Sequence, residues 1–127
     1  MAKVIGIGGI FFKSSDWEKL SAWYRDVLGI EFRDWGGAVF TPDMLADASG
    51  PATVLAGFAN DTGYFAPSTM NYMLNFMVDD LSAVLERCRS HGIEPTNVMM
   101  DEPNGRFAHI LDPEGRKLEL WQPRAMQ

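Results

Sequence analysis

Apolar and polar positions change period several times along the chain, and each change marks an element. Residues 4–13, VIGIGGIFFK, predict a strand with Ile5, Ile7, Gly9, Phe11 and Lys13 on one face. Ser15 and Glu18 then have the spacing of a helix-capping box. The helix expected after it covers Trp17 to Leu28, with apolar positions at Trp17, Leu20, Tyr24, Val27 and Leu28, and Gly29 stops it. Short apolar runs at 30–33, 37–40 and 53–58 read as further strands. Trp35-Gly36-Gly37 forms a turn between the first two, and TPDMLADASGP forms a loop before the third. The order then starts again. Residues 71–78, NYMLNFMV, predict a strand, and Asp79 or Asp80 caps a helix with Leu81, Val84, Leu85 and Cys88 on one stripe. Gly92 ends that helix, 93–99 is strand-like, and 106–121 closes the chain as a hairpin around Asp112-Pro113-Glu114-Gly115.

The two halves align. Phe12 matches Phe76 and Asp16 matches Asp80 at an offset of 64, while Gly29 matches Gly92 and Ala56 matches Glu119 at 63. The pattern therefore predicts an α+β fold of two βαβββ units, each with a helix on one face of its sheet, enclosing a shared concave cleft. One domain spans 1–127, with repeats at about 1–60 and 71–127. The long aromatic linker between them, 57–70, suits a flap over the cleft.

The final hairpin holds the candidate chemistry. On its second strand Lys117, Glu119 and Trp121 alternate with Leu118 and Leu120, and on its first Phe107, His109 and Leu111 alternate with Ala108 and Ile110. If Glu119 and His109 share the non-core face, the hairpin carries an acid–base pair; the plainer alternative is a wet sheet edge. A two-residue turn sets His109 opposite Leu118, and a three-residue loop with a bulge sets it opposite Glu119. Met73, Asn75 and Met77 share a face of the strand before the second helix, the methionines as lining and Asn75 as an amide to orient a ligand. Phe11, Trp35, Phe107 and Trp121, with Tyr64 and Phe65 of the linker, supply aromatic surface for a flat ligand. His91, next to the glycine that ends its helix, reads as structural, and Cys88 reads as core.

Composition narrows the classes. With 127 residues, 46% hydrophobic and 22% charged, the chain suits one soluble domain. A net charge of −6 without a basic block argues against nucleic acid or an anionic membrane as partner. One cysteine excludes an internal disulfide and suits the cytoplasm. No apolar run approaches the roughly 20 residues of a membrane span, and residues 1–16 lack the cleavage site of a signal peptide.

The combination of AWYRDVLGIEF, VDDL and LDPEGRKLELWQP with the internal repeat resembles the vicinal oxygen chelate superfamily, which includes glyoxalase I, bleomycin-resistance proteins and extradiol dioxygenases. The resemblance implies four metal-ligand positions, which here hold Gly9, Ala56, Met73 and Glu119. Only Glu119 is a retained ligand, so a metal is disfavoured and no cofactor is expected. It also implies that His109, ten positions before Glu119, lies near it in the cleft. The expected function is metal-independent binding of a small apolar or aromatic molecule by Phe11, Trp35, Met73, Asn75, Phe107, His109, Glu119 and Trp121. The alternative is a lyase, isomerase or dioxygenase-like enzyme with His109 and Glu119 as its catalytic groups. Exposed sheet edges and the resemblance together imply a homodimer.

Overall fold

The computed structural model describes residues 7, 9–47, 50 and 53–124. The elements are α1 (Trp17–Leu28), a 3-10 turn (Pro42–Leu45), β1 (Leu74–Met77), α2 (Leu81–Ser90), β2 (Met100–Glu102), β3 (Gly105–Leu111) and β4 (Lys117–Pro123). The second half thus forms a complete βαβββ unit, with strand order β1-β4-β3-β2, β1 parallel to β4 and the other pairs antiparallel.

Both helices pack on one face of this sheet. Leu20, Tyr24 and Val27 of α1 and Leu81, Val84, Leu85 and Cys88 of α2 meet Leu74, Ala108, Ile110, Leu118 and Leu120, all buried. Each large side chain buried this way contributes about 1.5–3 kcal/mol before entropy is counted. The stripe spacing of the two helices and the alternation of the strands put these residues inside. The residues between them on the strands face the other way and form the sheet's second, helix-free face.

Each helix is capped by its own chemistry. Asp16 caps α1 by accepting from the Lys19 N–H at 3.1 Å, and Asp80 caps α2 by accepting from Ala83 at 3.1 Å. The expected Ser15–Glu18 box is therefore replaced. Ser15 is held instead by the Glu114 carboxylate, to which its hydroxyl donates at 3.3 Å. Gly29 ends α1 as predicted.

The first half departs further from expectation. No strand forms among the described residues of 4–13, of which 4–6 and 8 lie outside the description, nor at 30–33, 37–40 or 53–58. Hence the described chain has one four-stranded sheet with two helices on it rather than two sheets each with its own helix. A strand exists only where a neighbouring strand takes its backbone hydrogen bonds, and among the described residues these segments pair with no strand of the sheet. What forms locally does form: Arg33 and Gly37 close the Trp35-Gly36 turn, Arg33 N–H donating to the Gly37 carbonyl at 2.9 Å. The second strand of the second unit is also displaced, from 93–99 to Met100–Glu102. Pro95 lies inside the earlier span and has no N–H to give a ladder.

A buried ion cluster at the β3–β4 turn joins the halves. Arg116 donates to Asp112 and Glu114, each at 3.2 Å, and to the Tyr72 hydroxyl at 2.8 Å. It also donates to the Lys13 carbonyl and lies 4.3 Å above the Phe12 ring. Tyr24 donates to Asp112 at 2.9 Å. Burial and the Asp112 carboxylate together push the Tyr24 phenol well above its ordinary pKa, so it stays a donor. Among the described residues, no helix is long and apolar enough to cross a membrane.

Candidate functional site

The β3–β4 connection fixes the site. Asp112 N–H donates to the Arg116 carbonyl at 2.9 Å, and Gly115 N–H donates to the Asp112 carbonyl at 3.0 Å. Pro113, Glu114 and Gly115 thus form a three-residue loop, with Gly115 at φ 86°, a region that favours glycine. This is the bulged loop of the two alternatives. Its consequence is the register: Leu111 faces Lys117, His109 faces Glu119 and Phe107 faces Trp121.

Carried across the sheet, that register arranges the helix-free face in rows. Asn75, Glu119 and His109 pair in sequence to make a polar row, and one step along Met77, Trp121, Phe107 and Met100 make an apolar one. The Phe107 and Trp121 rings lie parallel, 2° apart in tilt and 5.8 Å between centroids. Trp121 is fixed by donating Nε1–H to the Asn104 carbonyl at 3.0 Å. Gly105 makes that approach possible, because a Cβ there would overlap the Gln122 carbonyl and the Trp121 indole.

In the polar row every donor converges on one carboxylate. His109 Nε2 lies 2.7 Å from Glu119 Oε2, the Tyr64 hydroxyl donates to the same oxygen at 2.5 Å, and Asn75 Nδ2 donates to Oε1 at 2.8 Å. Burial raises the Glu119 carboxyl, but the hydrogen bonds from His109, Tyr64 and Asn75 outweigh it and hold the group below its ordinary value. Tyr64 moves the opposite way, pushed well up by burial and by Glu119, so its phenol keeps the proton it donates. The backbone of His109 is held where β2 has ended: its N–H donates to Asn97 Oδ1 and its carbonyl accepts from Thr96 N–H, both at 2.8 Å.

Tyr64 is the site residue whose role the pattern missed. The linker is recognisable as a flap from its aromatic content, but no local signal pairs this hydroxyl with a group 55 positions away. Its carbonyl also accepts from Lys117 Nζ at 2.5 Å, and its ring stands edge-on to His109 at 5.3 Å. Burial lowers the Lys117 pKa, with Glu119 opposing.

An open cleft of about 540 Å³ lies against these rows. Tyr64, Glu119 and Phe107 line it with Met100, and Glu102, Pro103 and Asn104 complete the wall. Of the expected ligand-binding residues, Asn75, Phe107, His109, Glu119 and Trp121 are brought together on one face of the sheet, where Phe107 and Glu119 line the cleft and His109 and Trp121 are buried. Phe11 and Trp35 lie elsewhere, 95% and 71% exposed on first-half segments, and Met73 sits just before β1, outside the cleft lining. As predicted, Cys88 is buried, and His91 caps the end of α2.

The donor set does not fit a resident divalent ion. Such a site needs three or more strong protein ligands, whereas the described residues hold no cluster of three His, Cys, Asp or Glu. Both Glu119 oxygens are already engaged by Tyr64, His109 and Asn75.

Residues 6–120 match the family model described as the Glyoxalase/Bleomycin resistance protein/Dioxygenase superfamily. No curated protein matches the chain significantly. Among solved structures, a protein of unknown function from Agrobacterium tumefaciens is 18% identical with a TM-score of 0.55, over 91% of this chain and 96% of that one. A structure from the mobile metagenome of V. Pseudocholerae is 16% identical with a TM-score of 0.54, over 94% and 98%. A lactoylglutathione lyase from Agrobacterium tumefaciens is 21% identical with a TM-score of 0.50, over 86% and 87%. At these identities the likeness is one of fold.

Proposed function

We propose that this chain, which belongs to the glyoxalase/bleomycin resistance protein/dioxygenase superfamily, binds a small, largely apolar or aromatic molecule on the open face of its sheet without a metal ion. The observation that carries this reading is the pair of adjacent rows. Phe107 and Met100 of the apolar row line the cleft in front of the buried Trp121, and one step away Glu119 lines it too, held by Asn75 and His109. Binding sites for small molecules combine such surfaces with a few convergent polar atoms. The test is a panel of soluble aromatic fragments followed by backbone and indole NMR. Shifts at Trp121 and Phe107, lost in Phe107→Ala, are the expected result, and a panel that leaves both residues unmoved sinks the reading. Elemental analysis of purified protein belongs beside it, with less than about one-tenth metal ion per chain expected against the stoichiometric ion of a resident site.

A second reading rests on the 2.7 Å approach of His109 to Glu119. With the Tyr64 hydroxyl 3.3 Å from the same imidazole nitrogen, a carboxylate, an imidazole and a phenol lie in hydrogen-bond reach of one another, as a lyase or isomerase moving a proton requires. Deuterium uptake from heavy water into a carbonyl compound, abolished by Glu119→Gln, tests it.

We also propose that the protein is a cytoplasmic homodimer. Support comes from Phe11, Val54 and Leu55, which are 95%, 70% and 89% exposed in segments whose periodicity is that of strands, and from the unpaired Cys88.

A further inference from the structure

We propose that the cleft selects an organic cation, a protonated or quaternary amine carried on a flat apolar body; this rests on reading the cleft as a ligand site. The argument begins with the charges around it. Of the residues that line the cleft, Glu102 and Glu119 carry a formal charge at neutral pH, and none is lysine or arginine. The cations on neighbouring elements are turned elsewhere. Lys117 gives its ammonium to the Tyr64 carbonyl, and Arg106 reaches Ser82 and the Met99 sulfur. Arg124 holds the Glu102 carbonyl at 3.0 Å and the Asp101 carboxylate at 2.8 Å, leaving the Glu102 carboxylate to the cleft.

The donors on Glu119 do not cancel this field. Asn75 and Tyr64 are neutral, so they keep the carboxylate in place and ionised while leaving its charge to act on a ligand. His109 approaches the same oxygen as Tyr64 from the neighbouring strand, its Nε2 at 2.7 Å. Beside the carboxylates stands Phe107, which lines the cleft and lies parallel to the buried Trp121 behind it, and the negative face of an aromatic ring attracts an ammonium group, quaternary ones included. The net charge of −6 adds a long-range pull of the same sign. An anionic ligand meets two lining carboxylates and no lining cation, the Lys117 ammonium being held behind Tyr64, and a neutral one forfeits the attraction of both carboxylates.

Three probes of similar size separate the possibilities: benzylammonium, benzyl alcohol and benzoate, titrated by NMR into the full chain at about pH 7, where the amine is protonated. The expected result is that the cation binds about tenfold more tightly than the alcohol and benzoate binds least. Glu102→Gln and Glu119→Gln should each erode that preference, and added salt should weaken it. Glu102 is exposed on its strand, so its variant reports even if Glu119→Gln perturbs the fold. Equal binding of alcohol and cation at Phe107 and Trp121 overturns cation selection and leaves the cleft a ligand site. Tighter binding of benzoate, or a cation preference untouched by both variants, overturns it as well. Failure of all three probes to move Phe107 or Trp121 overturns the selection and the ligand-site reading together.

Discussion

At the scale of single residues, Glu119 concentrates the chemistry. Its side chain is 15% exposed, yet it stays ionised because three donors are aimed at it. A carboxyl whose folded pKa lies below its unfolded value adds stability that is complete above about pH 4.3 and disappears as pH falls through the lower folded value. Glu119→Gln should therefore cost roughly 1–3 kcal/mol near neutrality. Urea unfolding as a function of pH checks the sign: the gap between wild type and variant should hold from about pH 7 to 5 and close below about pH 4. A gap that stays constant into strong acid would show that the donors do not stabilise the charge. Gly105 is the second telling residue, with φ 143° and no room for a Cβ beside Trp121. Gly105→Ala should destabilise by about 1–3 kcal/mol and shift the Trp121 emission, and unchanged fluorescence would mean the indole does not depend on that approach.

Among the elements, the β3–β4 loop has the widest consequences. Its three residues and bulge choose the register that brings His109 to Glu119, and its Asp112–Arg116 pair anchors the first half of the chain through Lys13, Phe12 and Tyr24. Asp112 and Arg116 side chains are 0% and 3% exposed. Removing one partner strands a buried charge, so Asp112→Ala should lose about 3–5 kcal/mol in denaturant unfolding. Replacing both, with Arg116→Met added, should recover much of it, since apolar packing substitutes well for a buried pair. A single variant within about 1 kcal/mol of wild type would mean Glu114 and Tyr72 hold Arg116 by themselves. The helices were legible at this scale to within a residue or two, because stripe spacing, capping and a terminal glycine all act within a few positions. The exact cap was not: Ser15 and Asp16 both suit the role, and the distant Glu114 decides between them by taking Ser15.

For the molecule as a whole, the halves differ despite their repeat. The second buries its apolar alternation in a sheet, while first-half positions such as Phe11, Phe40, Val54 and Leu55 stay exposed. If these segments complete their hydrogen bonding against a second chain, light scattering at micromolar concentration should give twice the 14.2 kDa chain mass. Phe11→Asp with Leu55→Asp should then shift it toward monomer. A monomer mass for the unaltered protein overturns the dimer.

What the sequence determined alone is what short range controls. Helix positions, the final hairpin and the buried stripes follow from periods of 3.6 and two and from turn residues. The family likeness was legible in the same motifs. Tertiary structure decided what depends on partners far along the chain. It chose between two loop registers, withheld strands from first-half segments whose backbone finds no neighbour, and left Phe11 and Trp35 outside the cleft. It also brought Tyr64 of the linker onto Glu119. Alternation says which way a side chain points, but only the folded chain says what stands there to meet it.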